Sequence, residues 1–147
     1  MLVSILNLAV TLMLSQAPPA NFACSVLTPA QVASLIGTAK TLPMTNVANG
    51  STCMFQNNDK MITVLVATNT TAAAAQRLFD SKKRMVTGTD IAGWAAPAYG
   101  ASMKNLAASG VLKQLTFIEV KVSDSTQKPD AMAQNLQAVM KEFAARK

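Results

Sequence analysis

The chain has 147 residues, the size of one ordinary domain, and half of them are hydrophobic against 14% charged. Its mean hydropathy of +0.26 is the opposite of the polar, charge-rich composition that keeps chains unfolded. Thirteen Lys and Arg oppose seven Asp and Glu, a net charge of +6, and the lack of any histidine excludes Ser–His–Asp and Cys–His nucleophile systems and every His-ligated zinc or haem site.

Leu2–Leu14 is apolar except at Ser4, Asn7 and Thr11. That is the length of a signal-peptide core and short of the roughly 20 residues a spanning helix needs. Small residues and prolines follow in Ser15-Gln16-Ala17-Pro18-Pro19-Ala20. The reading therefore divides the chain into 1–23, a signal peptide or N-terminal apolar segment, and 24–147, a single α+β domain. The expected location is exported, periplasmic or secreted, in contact with the envelope. No transmembrane span is expected in the mature chain. Cys24 and Cys53 are the only cysteines, without C-x-x-C spacing, and in an oxidising compartment they read as one disulfide.

The first helix is announced by Leu27-Thr28-Pro29-Ala30-Gln31-Val32. Thr28 is the N-cap, Pro29 stands at the first helical position and Gln31 completes a capping box, with Gly37 as the stop. A polar loop is expected through Pro43, Asn46, Asn49 and Gly50. Two strands follow, Ser51–Gln56 and Lys60–Thr68, joined by a turn at Asn57-Asn58-Asp59. Thr70 or Thr71 caps a second helix to about Met85, whose last turn holds Lys82-Lys83-Arg84. After a loop over Val86–Gly100, a second hairpin reads as Ala98–Leu106, a turn near Ala108-Ser109-Gly110, and Val111–Ser123. Val111, Leu115 and Phe117 run out of phase with Ile118-Glu119-Val120-Lys121-Val122, which suggests a bulge or two-sided burial. The last helix spans Pro129 to Ala145, with Met132, Leu136, Val139, Met140 and Phe143 on one face. The expected fold is α+β, an antiparallel sheet of about four strands packed with three helices in the order α-β-β-α-β-β-α.

Cys24-Ser25-Val26-Leu27-Thr28-Pro29-Ala30-Gln31-Val32 through Gly37, then Cys53-Met54-Phe55, Asp90-Ile91-Ala92-Gly93 and Ala98-Tyr99-Gly100, form a recognisable layout. It resembles a group of small exported bacterial domains, many of them lipoproteins, of unknown function. The resemblance implies an exported compartment and this fold type, and supplies no catalytic residue. The chain departs from the lipoprotein members because Asn21-Phe22-Ala23 before Cys24 is no lipobox.

Two features are candidate contact sites. Lys82, Lys83 and Arg84 form a basic run that reads either as a solvated helix end or as a contact for an anionic surface. No basic stripe is interleaved with aromatic residues, so no nucleic acid is expected. Trp94 and Tyr99, the only Trp and Tyr, lie in one Gly- and Pro-containing loop and read either as a recognition edge or as an aromatic staple sealing the end of the sheet core. Met44, Met54, Met61, Met85, Met103, Met132 and Met140 are scattered as core filler, without the clustering a copper site needs. Asp59, Glu119, Asp124 and Asp130 show no acid–base spacing, so no catalytic residue, cofactor or metal is assigned. The functional expectation is a non-enzymatic exported domain binding a protein or envelope component. Its rival is a small secreted enzyme with a carboxylate site or a serine paired to Lys104, Lys113 or Lys121.

Overall fold

The computed structural model describes residues 21–146; the apolar run at 2–14 lies outside them. Asn21 caps a short 3-10 turn, Phe22–Ser25, and its side-chain amide donates to the carbonyls of Thr45 and Thr52. Ala23 is fully buried and its N–H donates to the Ser51 hydroxyl. The packed body therefore already includes Asn21. Helix α1, Pro29–Ile36, has the expected capping box, with Thr28 Oγ1 accepting from Gln31 N and Gln31 Oε1 from Thr28 N. Gly37, at φ 79°, ends it in backbone space that glycine enters freely.

Three antiparallel strands follow, β1 (Lys40–Val47), β2 (Gly50–Asn57) and β3 (Lys60–Thr68). Helix α2, Ala72–Met85, is capped by Thr71, whose hydroxyl accepts from Ala74 N. A two-residue strand β4 (Thr89–Asp90) then precedes β5 (Ala98–Met103), β6 (Leu106–Lys113) and β7 (Thr116–Ser123), and helix α3 (Pro129–Ala145) closes the chain. β7 pairs with β3, so all seven strands form one antiparallel sheet in the order β1-β2-β3-β7-β6-β5-β4.

This corrects the expected α-β-β-α-β-β-α order and four-strand sheet: the element order is α-β-β-β-α-β-β-β-β-α. β1 was read as loop because it is an edge strand exposed along its whole length, so burial imposes no alternation on it. Pro43 and the register shift at Met44 blunt that edge against further pairing. The small residues Ala108-Ser109-Gly110 read as a turn, yet they are buried in β6, a strand packed by α3 on one face and α2 on the other. The hairpin turns lie instead at Lys104-Asn105 and Gln114-Leu115, where Asn105 and Gln114 take φ of 62° and 53°. The second turn and the two-sided burial of β6 and β7, rather than a bulge, account for the phase change before Phe117.

The helices cover the sheet unequally. α1 and α3 share one face, where Val32, Leu35, Ile36, Leu136 and Met140 pack on Ile62, Val64, Val120 and Val122. On the other face α2 packs on β6 and β7, with Ala75 and Phe79 among Tyr99, Leu112 and Phe117. Phe79 meets Tyr99 and Phe117 edge-on, with ring centroids 5.2 and 6.1 Å away. Beyond α2, no described helix packs over that face of β1–β3.

Two polar devices fasten the first core. The Cys24–Cys53 disulfide, as expected, ties the 3-10 turn to β2 across 29 positions. Asp124, fully buried between β7 and α3, accepts from Thr126 N and Oγ1 and from Gln127 Nε2, with Lys60 Nζ 3.3 Å away. Gln127 also donates to the Leu35 carbonyl, so the network reaches the end of α1. Burial pushes the Asp124 carboxyl up, but the Thr126, Gln127 and Lys60 donors outweigh it and hold the pKa at about 2.

Replacing both cysteines by serine should cost about 3.5 kcal/mol, the chain-entropy value for a loop of this size, read as a lower denaturant midpoint. For Asp124, the folded pKa lies below the unfolded value of 3.8, so the unfolded chain binds the extra proton. Its contribution should be complete above about pH 4 and fade as pH falls toward 2. Melting temperatures across that window should fall less steeply in Asp124→Asn, which should also melt lower at neutral pH.

Candidate functional site

One transverse row of the sheet carries the chemistry. In register, Tyr99 of β5 stands beside Gly110 of β6, Gly110 beside Glu119 of β7, Glu119 beside Leu65 of β3, and Leu65 beside Thr52 of β2. Directly paired residues project from the same face, here the one that α2 partly covers. The Tyr99 ring lies across Gly110, where any Cβ would collide with the ring carbons and the hydroxyl. Only the missing side chain at Gly110 lets the phenol span β6 and donate its hydrogen bond to Glu119 Oε2.

Glu119 is 3% exposed, and its other oxygen, Oε1, lies 3.2 Å from Lys121 Nζ. Burying a lone carboxylate costs several kcal/mol, so both contacts are needed to hold it. Burial, then the hydrogen bond and charge of Glu119, drive the Tyr99 pKa far upward, which keeps the phenol protonated as a donor.

Glu119 and Lys121 line a cavity of about 230 Å³ together with Thr52, Thr63, Leu65 and Lys82. Lys82 comes from the last turn of α2 and the others from β2, β3 and β7. On the opposite face a second cleft of about 320 Å³ lies beside the disulfide, walled by Leu27, Val32, Ala39 and Phe55 with Thr38 and Thr41. That cleft has the size and apolar lining to take a small apolar group, but no ionisable side chain.

The expected basic run divides. Lys82 reaches the cavity, Lys83 forms a 2.7 Å ion pair with Asp90, and Arg84 is exposed at the helix end. Trp94 is half-buried against the core under α1 and α3, whereas Tyr99 is fully buried with Phe79 and Phe117. Of the lysines named for a serine pairing, Lys121 meets Glu119 and Lys113 donates to the Arg146 carbonyl beside the Phe143 ring. Lys104 is exposed, and no lysine–serine hydrogen bond occurs among the described residues. Met132 and Met140 are core residues, Met54 and Met61 are half-buried, and Met44 and Met85 are exposed. Among the described residues no three His, Cys, Asp or Glu side chains gather as metal ligands.

Sequence reasoning gave Glu119 no acid–base partner and missed its partnership with Tyr99, 20 positions away. A glycine within a β-rich stretch, on the strand next to a lone tyrosine, was the available signal. No protein-family model matches the chain, and no curated protein matches it.

Gly110→Ala should destabilise the fold by about 1–3 kcal/mol, the usual range for overpacking a filled core. Tyr99→Phe should cost a similar amount, about 1–3 kcal/mol, by leaving Glu119 Oε2 without its donor. In the double variant Tyr99→Phe, Glu119→Gln, urea unfolding should give less than the sum of the two single losses, since both remove one interaction.

Proposed function

We propose that the protein is an exported, non-enzymatic binding domain that meets a protein or other envelope component through the open face of β1, β2 and β3. The half-covered sheet carries this reading. An antiparallel sheet tolerates one wet face when alternate residues there are polar. Here Met54, Met61 and Leu65 are only half-buried, and Leu42, directly opposite Met54, is 40% exposed. On this face they interleave with Thr52, Gln56 and Thr63, and apolar side chains gathered at a surface among polar ones are what an interaction site presents.

The compartment rests on the disulfide, a bond that persists in oxidising surroundings. None of the described helices is long and apolar enough to cross a membrane. Removing an N-terminal segment after Ala20 would retain the Asn21 and Ala23 contacts, whereas a cut after Ala23 would destroy them.

Position-specific photocrosslinking in intact cells tests the reading. A photoreactive residue at Met54 should yield a discrete adduct, and one at the exposed Lys141 of α3 should not. Leu42→Glu should abolish the adduct without lowering the melting temperature. Equal labelling from both positions, or none from either, would sink the proposal. A hydrolase activity that survives repurification would favour the enzyme reading instead.

A further inference from the structure

The cavity under the end of α2 has an unbalanced set of donors. Glu119 is compensated inside the protein, with Tyr99 on one oxygen and Lys121 on the other. Lys121 has three N–H donors, and this contact needs only one. Lys82 lines the same cavity, and among the described residues it has no carboxylate partner. The hydroxyls of Thr52 and Thr63, on adjacent strands, also have no protein hydrogen-bond partner among the described residues. Two ammonium groups against one carboxylate leave one positive charge facing this space, beside two free hydroxyls.

We propose that this cavity binds an oxyanion, a carboxylate or a phosphate, held by Lys82, Lys121 and the hydroxyls of Thr52 and Thr63. Charge-assisted N–H···O bonds from lysine suit either anion, and a hydroxyl donates equally well to both. At about 230 Å³ the space is below the roughly 300–1,000 Å³ of pockets for drug-sized ligands. The occupant is therefore a small acid, or a single acidic group of a larger molecule. Glu119 acts as the buried brace that fixes Lys121, and Tyr99 fixes Glu119, so the cation is positioned before the anion arrives. Leu65 supplies an apolar wall that limits water around the charges. The inference deepens the binding reading above by naming the group that the open face takes, and rests on that reading only for the molecule carrying it.

The test is a titration of the purified, isotope-labelled protein with acetate and, separately, with inorganic phosphate at constant ionic strength. The backbone amide signals of Thr52, Thr63 and Lys121 should shift saturably, and those of the exposed Lys104 and Lys141 should not. Lys82→Gln should weaken the affinity about tenfold or more, the usual effect of losing one charge-assisted bond, whereas Lys83→Gln should leave it unchanged. Saturation by acetate alone assigns a carboxylate, and saturation by phosphate alone a phosphate group. Shifts that stay linear with both anions, or an affinity indifferent to Lys82→Gln in a variant with unchanged circular dichroism, overturn the inference. Anion binding that persists where crosslinking fails removes the partner reading alone. Crosslinking that persists without anion binding removes only the oxyanion site.

Discussion

The pairing of β3 with β7 is the constraint on which the rest of the molecule depends. Every other strand contact joins strands consecutive in the chain, whereas this one joins segments separated on average by more than a third of the chain, with the second helix and three strands between them. Loop-closure entropy disfavours such a contact, so it must be repaid at once by burial. The register does that. Ile62 meets Val122, Val64 meets Val120 and Val66 meets Ile118, all on the face covered by α1 and α3. A shift by one residue would turn each of these to the opposite face and place polar neighbours in the core.

With that seam in place, the unequal covering of the other face gives Glu119 its character. β7 is the last strand roofed by α2 and β3 the first beyond it, so the row through Glu119 runs from an aromatic core to an open surface. The carboxylate faces both environments. On the core side it accepts from a phenol that burial prevents from ionising; on the open side it meets an ammonium that stays partly in water. A leucine at this position would satisfy the core side, but would leave the phenol without an acceptor in a dry site, a cost of about 1–3 kcal/mol. Glu119, Tyr99 and Gly110 therefore form a single device across three strands.

The elements legible in the sequence were those with their own punctuation. Thr28, Pro29, Gln31 and Gly37 marked α1 at both ends, and the apolar stripe of α3 needed no tertiary help. The two cysteines paired because no third competed. Illegible were elements shaped by their neighbours. β1 has no buried face to impose a pattern, and β6 is small-residue rich because helices press on it from both sides. A reading that treats small residues as turn formers splits such a strand and overlooks the turns beside it, which rest on Asn105 and Gln114 in left-handed backbone. The cavity was hidden for a related reason. Its lining comes from β2, β3, α2 and β7, and only Lys82 lay in a run that composition singled out.

The division of that basic run follows from helix geometry. Ala75, Phe79 and Lys82 are spaced by four and three, so they lie along one side of α2. The face that sinks Ala75 and Phe79 into the aromatic core therefore carries Lys82 over the sheet as it leaves the covered half. One residue on, Lys83 is rotated by about 100° and meets Asp90 instead. Two adjacent lysines of identical chemistry thus have different partners, one a carboxylate of its own chain and the other an open cavity. The packing of Phe79 against Tyr99 and Phe117 fixes the angle of the helix, and with it the position of the Lys82 ammonium. The aromatic core and the charged cavity are consequently coupled through one rigid turn of α2, and repacking the former would displace the latter.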